Sequence, residues 1–220
     1  MTTPPIVSIV GNSGSGKTMF IEKLIPEITR RGLRVGTIKH DVHGFEMDKP
    51  GKDSWRHKQA GASTTIISSP YQIGMVMDVD YDHKPDELLH LFPVVDIILT
   101  EGYKRGHYPK VEIFRPEISK EPLCKDDKNL LALISDSIID LDVPRFSPKD
   151  IDRAAEFLID HFNLDGFVKK KMTFYEFTDV TSFTDSLVDC FYLISFNIIY
   201  CHLPFLVKKT PRLKRGFFLI

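Results

Sequence analysis

The chain has 220 residues, 42% hydrophobic and 27% charged, and a formal net charge of −1. This is a globular balance, long enough for one medium domain with an appendage, and it excludes a protein drawn to nucleic acid by overall charge. Cys124, Cys190 and Cys201 are odd in number and lack C-x-x-C spacing, which excludes a disulfide scaffold and implies free thiols in a reducing cytoplasm.

Residues 1–5 carry neither the basic nor the apolar region of a secretory leader. An apolar run over residues 6–10 reads as a strand. It leads into Gly11-Asn12-Ser13-Gly14-Ser15-Gly16-Lys17-Thr18, which fits G-x-x-x-x-G-K-[ST] at every fixed position. The glycines let the backbone turn tightly around an anion, and successive N–H groups form a nest at a helix N-terminus. Lys17 can reach the terminal phosphates and the Thr18 hydroxyl can ligate Mg²⁺. The alternative, a chance Gly/Ser turn, is disfavoured by the strand before and the helix after.

Phe20, Ile21, Leu24, Ile25 and Ile28 form a helical stripe. Pro26 inside it predicts a kink or a tight turn, and Gly32 a C-cap. Residues 33–38 read as the second strand, so the order strand–helix–strand implies a right-handed parallel crossover. The polar loop over residues 39–48 leaves the sheet edge where open α/β folds bind ligands. Lys39 can meet phosphate there. Asp41, Asp48 and Asp53 can reach Mg²⁺ or its waters, against a reading as surface charge. His40, His43 and His57 lack the companions of a metal site, and read as polar loop residues.

A short helix is expected over residues 53–60, strands over 64–68 and 72–76, and a helix over 85–91 opened by Pro85. Residues 94–100 form a near-continuous apolar run, a central buried strand. Glu101 ends it, where P-loop enzymes place a carboxylate beside Mg²⁺ or the attacking water. Asp96, earlier in the run, reads as a strand-start residue. Residues 110–115 alternate and predict a less buried strand, residues 129–134 a buried one. Asp136, just after, can accept hydrogen bonds from guanine N1 and N2, or be an ordinary turn residue; no N-K-x-D or T-K-x-D signature is present. The last helix is expected over residues 149–162, capped by Ser147 with Pro148 at its first position.

The fold class is therefore α/β, of P-loop NTPase type: a mostly parallel sheet flanked by helices over residues 1–165, with an atypical tail. Residues 166–220 hold eight Lys/Arg against four Asp/Glu, while the rest holds 21 against 26. Residues 187–207 are strongly apolar with a basic flank, as a membrane span would be. Asn197, His202 and Pro204 argue against one, so membrane contact by the tail is not favoured.

Gly14-Ser15-Gly16-Lys17-Thr18, Thr37-Ile38-Lys39-His40, Asp48-Lys49-Pro50-Gly51-Lys52-Asp53-Ser54, Ala60-Gly61-Ala62 and Leu99-Thr100-Glu101-Gly102-Tyr103-Lys104, in this order, resemble the MobB family of molybdopterin-guanine dinucleotide biosynthesis adaptor proteins. The likeness runs over residues 5–163. It implies a homodimeric GTP-binding protein with weak Mg²⁺-dependent GTPase activity, assisting the MobA-type guanylyltransferase that attaches GMP to molybdopterin. It further implies phosphate on residues 14–18, Mg²⁺ on Thr18, Glu101 at the catalytic edge and residues 48–53 lining the same site. Two other functions share the loop. A small-molecule kinase would need a lid, and Arg105, Arg115 and Arg145 show no lid pattern. A nucleotide-gated metal-delivery module using the histidine loop ranks last.

Overall fold

The computed structural model describes residues 3–164. The expectations for the tail, including the membrane-spanning reading, lie outside them. Among the described residues no helix is long and apolar enough to cross a membrane.

The first strand, β1 (Ile6–Val10), is followed by the glycine-rich loop and α1 (Lys17–Arg30). Pro26 does not end α1, which continues four residues past it. The proline lies on the exposed side, so the Glu22 carbonyl that it leaves without an intrahelical donor is on the helix's wet face. Gly32, at φ +82°, donates its N–H to Thr29 O at 2.9 Å and closes the helix as expected. The chain then enters β2 (Val35–Lys39).

A six-stranded parallel sheet carries the fold. Its other members are β5 (Ile97–Glu101), β6 (Lys110–Ile113), β7 (Leu130–Ile134) and the short β8 (Arg145–Phe146), in the order β2-β5-β1-β6-β7-β8. Between β2 and β5 lie α2 (Asp53–Gln59), an antiparallel hairpin of β3 (Thr64–Ser68) and β4 (Ile73–Met77), and the segment Pro85–Leu91. That segment, the helix expected over residues 85–91, is a 3-10 helix. The hairpin forms its own two-stranded sheet.

One face of the main sheet holds Val7, Ile9, Ile97, Leu99, Val111, Ile113, Ala132 and Ile134. Against it lie Phe20, Ile21, Leu24 and Ile28 of α1 and Ala154, Ala155, Leu158 and Ile159 of α3 (Ile151–His161). Burying each large side chain stabilises by about 1.5–3 kcal/mol. The α3 helix starts later than its sequence suggests. Asp150 is the N-cap, and the Ser147 hydroxyl accepts from the Lys149 N–H at 3.3 Å while donating to Asp136 Oδ1 at 2.6 Å.

Strand β6 departs from its sequence pattern. All of its residues are buried, Lys110 completely, because β6 sits between β1 and β7. The Lys110 ammonium donates to Gly106 O (2.5 Å) and Tyr108 O (3.2 Å), and pairs with Asp127 at 2.9 Å. Glu112 accepts from the Leu123 N–H (2.6 Å) and the Cys124 N–H (2.8 Å). Burial still pushes the Glu112 carboxyl above its ordinary range, and lifts the Cys124 thiol to about 11.

Candidate functional site

Because the strands of the main sheet run parallel, β1, β2, β5, β6 and β7 all end on one edge, where open α/β sheets bind ligands. Four sequence-predicted regions arrive there. The glycine-rich loop follows β1, Lys39 ends β2, Glu101 ends β5, and Asp136 comes just after β7.

Gly11, Gly14 and Gly16 have φ of +141°, +75° and +98°. A Cβ at Gly11 would lie 2.5 Å from Ile113 O and 2.8 Å from Ser15 Oγ, so the loop turns directly against β6. The Lys17 ammonium donates to Gly11 O (3.2 Å) and Asn12 O (2.9 Å). It is thereby held over the loop that Ser13 and Gly14 complete, both exposed. Ser15 is 1% exposed and its hydroxyl has no partner.

Opposite the loop, Thr18 Oγ1 donates to Glu101 Oε1 at 2.9 Å, across 83 positions of sequence. Lys39 is the register partner of Glu101. A hydroxyl paired with a carboxylate, both oxygen donors, matches the ligand preference of Mg²⁺. A glycine-rich loop at a helix N-terminus, with a lysine over it, matches a polyphosphate. The residues present thus fit a Mg²⁺-nucleotide.

The turn after Glu101 is strained. Gly102 (φ +111°) and Tyr103 (φ +54°) are both left-handed. The strain is held by contacts that sequence does not reveal. His40 donates its N–H to Glu101 O at 3.0 Å, its ring stacks on Tyr103 at 4.3 Å, and its Nε2 meets Asp82 at 3.0 Å. The Tyr103 hydroxyl donates to His83 O at 3.0 Å. Burial beside Asp82 raises the Tyr103 phenol above its ordinary value.

Other candidates are placed elsewhere. Asp48 lines a cavity of about 460 Å³ between residues 41–48, α2 and the hairpin, with Phe45, Trp55, Lys58 and Asp78. Its Oδ1 accepts from the Lys49 N–H at 2.8 Å. Asp53 is exposed at the start of α2, 3.7 Å from Arg56. Asp41 accepts from the His43 N–H. Asp96 is 8% exposed and holds Arg34 at 3.0 Å, pinning the start of β5. Asp136 is exposed with the Ser147 hydroxyl on one oxygen, and Arg145 braces its turn through Ser137 O at 3.2 Å. Among the described residues no cluster of three or more His, Cys, Asp or Glu could hold a metal ion by itself.

Arg115 is a contact that sequence reading passed over. Its Nε donates to Ser15 O at 2.8 Å, from 100 positions away. No local pattern marks it; only the adjacency of β6 and β1 does.

Comparison with known proteins agrees with this geometry. Residues 6–136 match the family "Molybdopterin guanine dinucleotide synthesis protein B". The chain is 36% identical over 164 residues to the molybdopterin-guanine dinucleotide biosynthesis adapter protein of Haemophilus influenzae, covering 72% of this chain and 92% of that protein. It is 32% identical to the protein of the same description from Escherichia coli, covering 72% and 94%. A crystal structure of molybdopterin-guanine biosynthesis protein B superimposes with a TM-score of 0.58 at 27% identity, over 72% of this chain and 99% of that one. Motifs, parallel topology and these matches together make the chain a member of the MobB family.

Proposed function

We propose that this chain is a GTP-binding adapter that assists guanylylation of molybdopterin, in the cytoplasm, with a MobA-type guanylyltransferase as its partner. The observation that carries the nucleotide reading is the Thr18–Glu101 hydrogen bond beside the glycine-rich loop. It brings the two metal-side groups together at the lysine-bearing nest. The names of the relatives supply the pathway.

In this reading residues 1–165 are the nucleotide-binding domain and 166–220 a separate tail. Gly11, Asn12, Ser13, Gly14, Ser15 and Gly16 form the phosphate loop, and the Ser15 N–H, which donates to Asn12 O at 3.2 Å, exchanges that partner for phosphate. Lys17 turns from the two loop carbonyls to the terminal phosphates, with Lys39 adding charge beside Glu101. Thr18 and Glu101 would hold Mg²⁺, which supplies neutralising charge to the β- and γ-phosphate oxygens. Asp136, oriented by Ser147, accepts from the guanine edge. Asp48 and Asp53 join when the 41–53 stretch closes on the nucleotide, a change in population of that loop. Hydrolysis is slow because Arg115 holds a loop carbonyl instead of pointing at the reacting phosphate as an arginine finger does.

The chain acts as a homodimer. The hairpin supports this: beyond its contact with α2, Ile66 (59%) and Ile73 (74%) are exposed on the two-stranded sheet and Tyr71 (95%) in its turn, a sheet too small to be stable alone. A second copy covers that apolar surface.

The test is calorimetry with GTP and ATP, with and without Mg²⁺, on wild type and Lys17→Ala. GTP binds more tightly than ATP, Mg²⁺ strengthens it, and the variant loses binding while keeping its fold. Unchanged affinity in Lys17→Ala would sink the reading.

A further inference from the structure

The glycine-rich loop is braced from behind by β6 and by Arg115, two residues beyond it. Ile113 O lies where a Gly11 Cβ would be, at 2.5 Å. Two residues on, the Arg115 guanidinium donates through Nε to Ser15 O at 2.8 Å. Its Nη2 lies 3.3 Å from the position of a Cβ on Gly16. A charged donor therefore grips the peptide between Ser15 and Gly16.

That grip has a chemical consequence. A peptide's carbonyl and the next residue's N–H point in opposite directions. Holding Ser15 O toward β6 turns the Gly16 N–H away from β6, into the concave side of the loop. A charge-assisted hydrogen bond resists rotation of that peptide better than a neutral one. Gly16, at φ +98°, offers little resistance of its own. Arg115 is otherwise exposed, so the contact is no by-product of core packing.

We infer that Arg115 is a positioning residue for phosphate binding: it fixes the Ser15–Gly16 peptide so that the loop's N–H groups converge on the nucleotide's phosphates. The inference rests on the nucleotide reading above. Arg115 acts through the loop and does not touch the phosphate chain. A cradle around phosphates common to GDP and GTP serves both ligands alike.

The test is titration of Mg·GTP and Mg·GDP, followed by calorimetry, on the full chain and on Arg115→Ala, Arg115→Lys and Arg115→Gln, with thermal unfolding alongside. Removing the guanidinium weakens GTP and GDP by the same factor, about tenfold or more, corresponding to 1.4 kcal/mol per factor of ten. Added guanidinium ion at millimolar concentration restores part of the affinity to Arg115→Ala. Arg115→Lys does not recover it fully, because an ammonium cannot reproduce the planar Nε contact. Loss for GTP alone overturns the inference and makes Arg115 a γ-phosphate contact. A lowered melting temperature with both affinities unchanged overturns it in favour of a purely structural role. If Arg115→Ala does not fold, the Lys and Gln variants carry the same comparison. Wild type that binds neither nucleotide refutes the nucleotide reading itself, an outcome distinct from the others.

Discussion

Replacing Gly11 by alanine tests how tightly the loop is set against the sheet. The new Cβ would sit 2.5 Å from Ile113 O and 2.8 Å from Ser15 Oγ. The serine hydroxyl can rotate, but Ile113 O belongs to a strand and moves only if β6 parts from β1. At φ +141° the backbone is also one that L-residues avoid. Strain of this kind costs about 1–3 kcal/mol, and overpacking adds about 1–3 kcal/mol. At about 2–4 °C per kcal/mol for a domain of this size, the melting temperature falls by roughly 10 °C. Gly14→Ala is the control. Gly14 also has positive φ, at +75°, but a Cβ there meets nothing within 4 Å. Its cost is the left-handed conformation alone, about 1–2 kcal/mol. Thermal unfolding without nucleotide separates the two, since loss of ligand then plays no part. If Gly11→Ala melts no lower than Gly14→Ala, the close approach to β6 is wrong.

Lys110→Met strips a fully buried ammonium from Asp127 and two carbonyls; because Asp127 is 28% exposed and can rehydrate, the loss falls near the low end of the buried-pair range, about 3 kcal/mol in urea unfolding. A loss under about 1 kcal/mol would show that the buried charge is not anchoring its loop. Glu101→Gln keeps GTP affinity within a few-fold, since the phosphate nest is untouched, and slows hydrolysis by about 10²–10³-fold; equal turnover in single-turnover assays would remove Glu101 from the catalytic edge. Glu112, raised by burial, makes the folded state hold its proton longer than the unfolded chain does, so its contribution to stability falls as pH rises from its ordinary value of 4.5 through its higher folded value. Glutamine does not titrate, so the stability of wild type relative to Glu112→Gln falls with rising pH across that window. A relative rise contradicts the buried-acid assignment.

The site was legible where its signal is local. Residues 11–18 show strand, glycine spacing, lysine and helix in one continuous stretch, and Glu101 follows its own apolar strand directly. What escaped were features created by adjacency. Lys110 and Glu112 alternate with apolar neighbours and so imitate a wet face. Their partners, Asp127 and the N–H groups of Leu123 and Cys124, come from the excursion that follows, and nothing local announces them. Ser147 has the spacing of an N-cap and its hydroxyl accepts from the Lys149 N–H, but Asp136, to which it donates, is brought beside it only by the neighbouring strands β7 and β8. The β-branched run of β3 identified a strand without saying which sheet it would join.

The charged groups and the threonine around the loop already have partners: Lys17 on Gly11 O and Asn12 O, Thr18 on Glu101, Arg115 on Ser15 O. A phosphate that takes the Lys17 ammonium takes it from those carbonyls, so the net gain is that of an exchanged hydrogen bond. Such exchanges contribute about 1.5–3 kcal/mol even with a charged partner. The arrangement therefore favours a ligand that engages several groups at once, as a Mg²⁺-polyphosphate does, over a single anion. It also separates the contacts by consequence. Lys17 and Thr18 change partners on binding, whereas Arg115 keeps its own. Losing Lys17 should then cost affinity according to the number of phosphates bound, while losing Arg115 costs every phosphate ligand alike.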